Sequence, residues 1–122
     1  MTSAGGAARM SPPQRLKRRA EFLEIAGKGR KAPMPGLVLQ ALHRAEGAPL
    51  RLGFTVTKKV GNAVVRNRTR RRLQEAARLL LAQSPVAGVD LVLIGRDGTR
   101  RRKFSELLLD IRRAMAKLGV TP

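Results

Sequence analysis

Residues 51–83 read RLGFTVTKKVGNAVVRNRTRRRLQEAARLLLAQ and carry the clearest structural pattern of the chain. Apolar and polar residues alternate from Leu50 to Thr57, which predicts a half-buried strand. From about Ala63 to Gln83, apolar and small side chains recur with helical spacing. They are Val65, Thr69, Leu73, Ala76 and Leu80. This spacing predicts a helix of roughly twenty residues that Ser84 and Pro85 end.

Two weaker helix patterns flank this stretch. On the N-terminal side, Phe22, Ile25 and Ala26 have the spacing of a short amphipathic helix from about Ala20 to Lys28. We expect Gly27 and Gly29 to end it. On the C-terminal side a last helix is expected. Its end signals are Ser105 as N-cap, Phe104 and Leu109 as a hydrophobic staple, and Gly119 as the terminating residue.

Two apolar runs, Leu37 to Leu42 and Val89 to Gly95, predict further strands, and residues 96–103 predict a basic loop. The polar turn with Glu46 and Gly47 is short enough to join the first run to the strand at Leu50 as an antiparallel hairpin. The strand, long helix and strand that follow indicate a parallel pair. The element order predicts an α+β fold.

The chain has 122 residues, a length typical of one domain. Residues 1–14 mix Gly, Pro and small side chains without apolar periodicity. We therefore expect a disordered tail over 1–14 and a single folded domain over 15–122.

The balance of charges points to a polyanionic partner. There are 26 Lys and Arg against 8 Asp and Glu, a formal net charge of +18. Hydrophobic residues make up 43% of the chain, enough for one core, but Trp and Tyr are absent and only three Phe occur. Extensive stacking of bases on aromatic side chains is excluded, so contacts to phosphates should dominate.

The basic residues are concentrated in residues 51–78, a segment that contains nine of them and only one acidic residue, Glu75. The nine are Arg51, Lys58, Lys59, Arg66, Arg68, Arg70, Arg71, Arg72 and Arg78. Guanidinium groups match phosphate oxygens, and a helix repeats them along one surface. The alternative is a solvated charged face, but such a face normally interleaves acids four residues from the bases. The cluster therefore favours binding of nucleic acid or another polyanion.

The turn at residues 58–62 precedes the arginine-rich helix, and backbone amides at a helix start also favour anions. Two structural alternatives stay open. Gly61 can serve the turn alone, and Asn62 can be an N-cap rather than an RNA contact.

Catalytic chemistry of the chain's own is disfavoured. Cys is absent, which excludes disulfides, thiolate nucleophiles and cysteine-ligated metals. The lone histidine, His43, at a strand end is more typical of a structural or solvated side chain. No spacing of the eight acids resembles the paired carboxylates of a two-metal nuclease. We predict neither catalytic residues nor a metal site in this chain, and an autonomous ribonuclease is disfavoured.

The expected location is the cytoplasm. No apolar run has the length of a membrane span, and the N-terminus lacks the apolar core of a signal peptide. We expect neither a membrane nor a protein partner.

Residues 51–75 closely resemble the protein component of bacterial ribonuclease P. The family is marked by a strand, a basic pair leading into a Gly-Asn-Ala-Val turn, and a helix that opens with Arg-Asn-Arg, all present here in order. The resemblance extends from Arg15 to the final helix. It implies a protein that binds a large catalytic RNA, with the two together removing the 5′ leader of precursor tRNA. Hydrolysis would depend on Mg²⁺ acting mainly through the RNA.

The resemblance also implies site residues. Those that would contact the catalytic RNA, with Arg70 added from the same cluster, are Lys58, Lys59, Asn62, Arg66, Asn67, Arg68, Arg70, Arg71 and Arg72. Those that would line a leader-binding cleft between the first helix and the sheet are Phe22, Val38 and Gln40. The family commonly has further aromatic residues at the positions of Ala26 and Gln40. Phe22 can instead be a core residue, and that alternative stays open.

For the fold, the resemblance implies the element order αβββαβα and a four-stranded sheet if an edge strand forms near Arg30 to Pro33. It also implies a left-handed crossover around the long helix, like that of the second domain of a small-subunit ribosomal protein. A structural ribosomal protein is the second function hypothesis, since its composition would be the same. The basic pair and the Arg-Asn-Arg helix favour ribonuclease P.

Overall fold

The computed structural model describes residues 13–120. In this part of the chain, five strands and four α-helices follow one another, with a 3₁₀ turn at Lys58–Val60. The elements are β1 (Gln14–Arg15), α1 (Arg19–Lys28), β2 (Arg30–Met34), β3 (Leu37–His43), β4 (Arg51–Val56), α2 (Ala63–Gln83), β5 (Val89–Gly95), α3 (Asp97–Arg101) and α4 (Phe104–Lys117). The predicted α+β class is confirmed.

The five strands form one mixed sheet in the order β1, β4, β5, β3, β2. The predicted edge strand is present as β2, which pairs antiparallel with β3. The sheet has one strand more than predicted because Gln14 and Leu16 donate backbone hydrogen bonds of 2.8 Å to Leu50 and Leu52. A two-residue strand has no alternation that a sequence pattern could detect. Gln14 therefore lies in the sheet, while residues 1–12 of the predicted tail lie outside the described residues.

The predicted hairpin between β3 and β4 is wrong. β5 lies between them, antiparallel to β3 and parallel to β4. The short connection over residues 44–50 made direct pairing look favourable. β5 is nevertheless buried along almost its whole length, and an apolar strand of this kind is most stable at the centre of a sheet.

The crossover from β4 through α2 to β5 is left-handed. The Leu52 side chain lies in the core beneath α2, and its carbonyl accepts the hydrogen bond from Leu16 beside β1. When the side chain of an L-residue faces the viewer and the strand runs upward, the carbonyl points to the viewer's right. Seen from α2, β1 is therefore right of β4 and β5 is left of it. The crossover belongs to the roughly 2% of exceptions to the right-handed rule.

The two faces of the sheet are covered unequally. α2 and α4 cover one face completely, and the main core lies there, around Leu39, Leu73, Leu91 and Leu107. On the other face α1 covers only part of the sheet, through Ile25 and a small apolar cluster. The rest of that second face is open, which leaves room for a ligand beside α1.

The helix ends differ from the predictions in three places. Gly27 lies inside α1, which ends at Lys28. Ala26 is exposed, and Ile25 is the one buried residue of this helix. The predicted basic loop contains α3. The N-cap of α4 is Lys103, two residues before the predicted Ser105, and the helix starts at Phe104 because a Glu106 carboxylate oxygen accepts a hydrogen bond from the Lys103 backbone at 3.1 Å.

The remaining helix predictions concern the hydrophobic staple of α4, its terminating residue and the limits of α2. Leu109, assigned to the staple, is 42% exposed. The end of α4 at Gly119 is confirmed, since that residue has φ +70° just after the last turn. The limits of α2 are those predicted from Ala63 to Gln83.

Candidate nucleic-acid interface

The basic pair lies on a rigid turn. Lys58 and Lys59 are exposed on the 3₁₀ turn, while Val60 is buried and anchors it. Gly61 follows with φ +155°, and a Cβ there would lie 3.0 Å from the Val65 side chain. Gly61 therefore has a structural role in the turn, and the two ammonium groups are held at the point where β4 leaves the sheet.

Asn62 is the N-cap of α2. Its side-chain oxygen accepts a hydrogen bond of 3.0 Å from the Val65 backbone, which satisfies one of the free amides of the first turn. The predicted N-cap role of Asn62 is thus confirmed. The side chain is exposed, and its amide nitrogen keeps its two donors for a ligand.

The burial of α2 follows the predicted stripe and turns the arginines outward. Thr69, Leu73, Ala76 and Leu80 are buried as predicted, with Ala77 and Leu81 added. The Thr69 hydroxyl donates to the Val65 carbonyl at 2.8 Å, so this buried polar group is satisfied. All five arginines between residues 66 and 72 lie off this stripe.

The arginines of α2 divide into engaged and available groups. Arg72 donates to the carbonyl of Thr99 at 2.6 Å, and Arg70 donates to the Asn67 side chain at 2.8 Å. Within residues 13–120, the guanidinium groups of Arg66, Arg68 and Arg71 make no hydrogen bond or ion pair. We call Arg66, Arg68 and Arg71 the free arginine set. No acidic group in the described part of the chain pairs with these three charges.

One acid on α2 is locally neutralised. Arg78 donates two hydrogen bonds of 2.8 Å to Glu75, and this lowers the pKa of the Glu75 carboxyl below its usual value. The same bonds raise the pKa of Arg78. Both side chains are exposed. The single acid of the cluster is therefore paired one turn or more beyond the free arginine set and does not reduce the charge of that set.

Phe22 of the predicted leader cleft packs on the sheet. Its ring lies against Gly53 so closely that a Cβ on that residue would be 2.5 Å from the ring edge. The ring is half-buried beside the small cluster of Leu16, Ile25 and Val92. The ring thus contributes to packing and is only partly exposed.

Val38 and Gln40 lie on the same face of the sheet as Phe22, since they pair with Ile94 and Val92 of β5. Val38 is half-buried and Gln40 is only 7% exposed. No group within residues 13–120 makes a hydrogen bond with the Gln40 side chain. A buried amide without a partner is costly, so this side chain is suited to a ligand that supplies one.

A cavity of about 710 Å³ joins the cleft to the basic turn. Val38 and Ile94 form its sheet side, Thr57 and Lys59 form a second side, and Arg96 contributes beyond the end of β5. The two predicted groups of site residues therefore meet here, through Val38 and Lys59. Phe22 and Gln40 lie further along the same face, nearer α1.

α1 is held in place by Glu21. One oxygen of its carboxylate accepts hydrogen bonds from the Arg18 and Lys17 backbone at 3.1 and 3.2 Å, and the other accepts from Arg51 at 2.6 Å. These bonds lower the pKa of Glu21, with the backbone bond from Arg18 as the largest cause. Arg51 has its pKa raised, mainly by its hydrogen bonds to Asp90.

Within the described residues, no group of His, Asp and Glu side chains is arranged to hold a metal ion. The carboxylates are instead used in ion pairs and helix starts. Asp90 pairs with Arg51, Asp97 with Arg101, and Asp110 with Arg102. His43 contacts the Leu118 carbonyl at 3.0 Å, a structural contact between β3 and the end of α4.

The segment after β5 contributes side chains to this surface that the sequence pattern did not predict. Arg100 lies beside Arg68 and Arg72 of α2, and Arg96 lines the cavity of the basic turn. The basic run over residues 96–103 was visible in the sequence, but the predicted loop gave no indication that α3 places Arg100 beside α2. None of the helices in residues 13–120 is long and apolar enough to cross a membrane.

Comparison with known proteins gives one consistent family. The ribonuclease P family matches residues 10–119. A ribonuclease P protein component of Gluconacetobacter diazotrophicus is 67% identical over 106 residues, which cover 87% of this chain and 91% of that protein. One from Paramagnetospirillum magneticum is 48% identical over 109 residues, covering 86% and 82%.

Solved structures agree with the fold. The RNase P protein of Staphylococcus aureus superimposes with a TM-score of 0.74 at 26% identity, covering 88% of this chain and 97% of that one. The RNase P protein of Thermotoga maritima gives 0.69 at 27% identity, covering 82% and 93%. Composition left both a ribonuclease P protein and a structural ribosomal protein open, and these matches favour the ribonuclease P protein.

Proposed function

The chain belongs to the ribonuclease P protein family, and on this premise we propose that α2 binds the catalytic RNA while the open sheet face beside α1 binds the 5′ leader of precursor tRNA. In this proposal the protein is the RNA-binding subunit of an endoribonuclease holoenzyme that matures the 5′ end of tRNA. Bond cleavage belongs to the RNA subunit.

The observation that carries the proposal is the free arginine set. Arg68 and Arg71 are exposed, Arg66 is half-buried, and within residues 13–120 none of the three has a hydrogen-bonding or ion-pair partner. Three neighbouring like charges on one helix destabilise the free protein, because they repel one another. A polyanion removes that repulsion and gains charge-assisted hydrogen bonds.

The leader-binding part rests on Phe22, Val38 and Gln40. Together they offer part of an aromatic ring, an apolar surface and one amide that has no hydrogen-bond partner within residues 13–120. In this proposal an unpaired nucleotide stacks on the ring and hydrogen-bonds with the amide, whereas the bases of a duplex are already paired and stacked on one another. The cavity beside Lys59 would take the phosphates of the same strand.

Mg²⁺ is assigned to the RNA in this proposal. The acids that a cation would need are engaged with arginines, as for Asp90 and Asp110, so the described residues do not fit a protein-held magnesium site. The protein would act on the metal requirement indirectly. Its positive charge lowers the repulsion between the phosphates of the two RNAs.

The test is the salt dependence of binding to the catalytic RNA of ribonuclease P. We expect the double variant Arg68→Ala/Arg71→Ala to bind more weakly. The fall of log affinity with log salt should also become less steep, by about 0.7–0.9 in slope for each lost contact. Arg72 is left intact because it supports α3. Folding should be unaffected, since both replaced side chains are exposed.

The matched control is Arg112→Ala/Arg113→Ala, which removes the same charge from exposed positions on α4. If both double variants lose the same affinity and slope, binding depends on net charge alone and the assignment of α2 fails. If neither loses affinity while circular dichroism shows folded proteins, the RNA contacts lie elsewhere.

A further inference from the structure

A small hollow between α2 and α3 is lined by three arginines. It has a volume of about 260 Å³ and is formed by Arg68, Arg72 and Arg100 together with Val65 and Thr69. No carboxylate lines it. Its volume is several times the ~30 Å³ of one water molecule, so a tetrahedral anion fits with part of its hydration.

Arg72 is fixed in position at this hollow. One nitrogen of its guanidinium donates to the carbonyls of Thr99 at 2.6 Å and Arg100 at 3.3 Å, and the group lies 5.8 Å from the centre of the Phe104 ring. Its remaining N–H donors have no partner within residues 13–120. A guanidinium that is already ordered loses less entropy when it binds a ligand.

Arg68 and Arg100 complete the site from two different helices. Arg68 belongs to the free arginine set on α2, and Arg100 projects from the last turn of α3. The nearest acid is Asp97, whose carboxylate lies 3.5 Å from Arg100 but is bonded to Arg101 at 2.6 Å. Since Asp97 is more than half exposed and shared, it neutralises Arg100 only weakly.

We propose that this hollow binds one phosphate group of the RNA backbone, so that Arg100 of α3 extends the RNA-binding surface of α2. The inference rests on the proposed function and adds a residue and an element to it. It also gives a role to part of the basic run over residues 96–103. Arg96 and Arg102 of that run bond to protein groups, whereas Arg100 is directed toward the hollow.

The test compares Arg100→Ala with Arg101→Ala, its neighbour on the same helix. Both variants lose one positive charge, but Arg101 is outside the hollow, paired with Asp97 and 75% exposed. We expect Arg100→Ala to weaken binding to the catalytic RNA about tenfold and to lower the salt slope by about 0.7. Arg101→Ala should stay within about twofold of the parent.

Inorganic phosphate is the direct probe. In the wild-type protein it should shift the NMR signals of the Arg68, Arg72 and Arg100 side-chain N–H groups and compete with RNA more strongly than chloride at the same ionic strength. In Arg100→Ala the shifts of Arg68 and Arg72 and this excess over chloride should both be lost. Competition by an acidic peptide that is stronger than competition by phosphate would overturn the proposal in favour of a protein ligand.

The outcomes separate this proposal from the proposed function. If Arg68→Ala/Arg71→Ala weakens RNA binding while Arg100→Ala behaves like Arg101→Ala, only the phosphate site is wrong. If none of these variants changes RNA binding, both proposals fail. A double-mutant cycle gives a further criterion, because the effects of Arg68→Ala and Arg100→Ala should be less than additive if both arginines hold one phosphate.

Discussion

The guanidinium of Arg51 donates to both carboxylate oxygens of Asp90, at 2.8 and 2.6 Å, across the neighbouring strands β4 and β5. Asp90 is fully buried, and Arg51 also reaches Glu21 of α1 at 2.6 Å. A carboxylate inside the sheet is thus connected through one arginine to the helix that borders the cleft. The ion pairs that join Asp90, Arg51 and Glu21 therefore help to fix the position of α1.

Arg51→Ala should destabilise the protein by about 3–5 kcal/mol, because it leaves the buried Asp90 with only the longer contact of 3.5 Å to Arg44. Urea unfolding measures the loss. Arg78→Ala, which breaks an exposed pair on α2, is the control and should cost no more than about 1 kcal/mol. Equal losses for the two variants would show that the buried pair has no special role.

Acid should destabilise the protein in part through Glu21. The pKa of this carboxyl is lowered in the folded state, so in acid the unfolded chain takes up its proton first. The contribution of Glu21 to the free energy of unfolding is therefore complete above the usual pKa of 4.5. It is lost as the pH falls through the lower pKa that this carboxyl has in the folded state. Melting temperatures measured from about pH 6 to pH 3 should fall less for Glu21→Gln than for the wild type.

The control for this pH series is Glu46→Gln, on the exposed turn between β3 and β4. Its melting curve should follow the wild type at every pH. A Glu21→Gln variant that loses stability in acid as steeply as the wild type would assign the acid sensitivity to other groups.

Phe22→Ala should reduce affinity for precursor tRNA by on the order of 1–3 kcal/mol and leave mature tRNA binding unchanged, because only the precursor has an unpaired leader to stack on the ring. Since the ring is half-buried, the loss of stability should stay below about 3 kcal/mol. Fluorescence binding assays with the two RNAs measure the difference.

Ile25→Ala provides the comparison on the same helix. Ile25 is 1% exposed and has only a packing role, so its loss should cost about 2–5 kcal/mol of stability. Binding of both tRNA forms should then weaken together. If Phe22→Ala gives this same result, the ring is a core residue and the leader contacts lie nearer Val38.

The purified protein should cleave no RNA, and its addition to the catalytic RNA should lower the Mg²⁺ concentration needed for precursor processing. The physical reason is the excess of +18 charge together with the lack of a metal-holding cluster in residues 13–120. Single-turnover cleavage across a magnesium series measures the shift. Cleavage by nuclease-free protein without RNA would contradict the expectation.

Much of the local structure could be predicted from periodicity. The predicted limits of α2, Ala63 and Gln83, agree with the structure because its apolar stripe is long and both of its ends carry clear signals. The pairing of strands could not be predicted in the same way. The neighbours of β5 are set by burial of the whole sheet, and the hairpin expected after β3 was inferred from chain distance alone.

The site was predictable in composition but only partly in geometry. The runs of arginine and the basic pair pointed to α2 as the helix for which we propose RNA binding, yet nothing in the sequence distinguished Arg72, held by the Thr99 carbonyl, from Arg71, which has no partner within residues 13–120. Arg100 was missed for the converse reason. Its proximity to Arg68 arises from the way α3 packs on α2, and no sequence spacing records that contact.

The central position of β5 also affects how the chain folds as it is made. β3 and β4 emerge from the ribosome with open edges, and each must wait for β5 because neither pairs with the other. At about 5–20 residues per second, the 39 residues that follow Val56, up to and including Gly95, take about 2–8 s to synthesise. During that interval two apolar strands lack their shared partner and are exposed to wrong pairing. Sequences that slow translation between β4 and β5 should therefore lengthen this interval and lower the yield of folded protein.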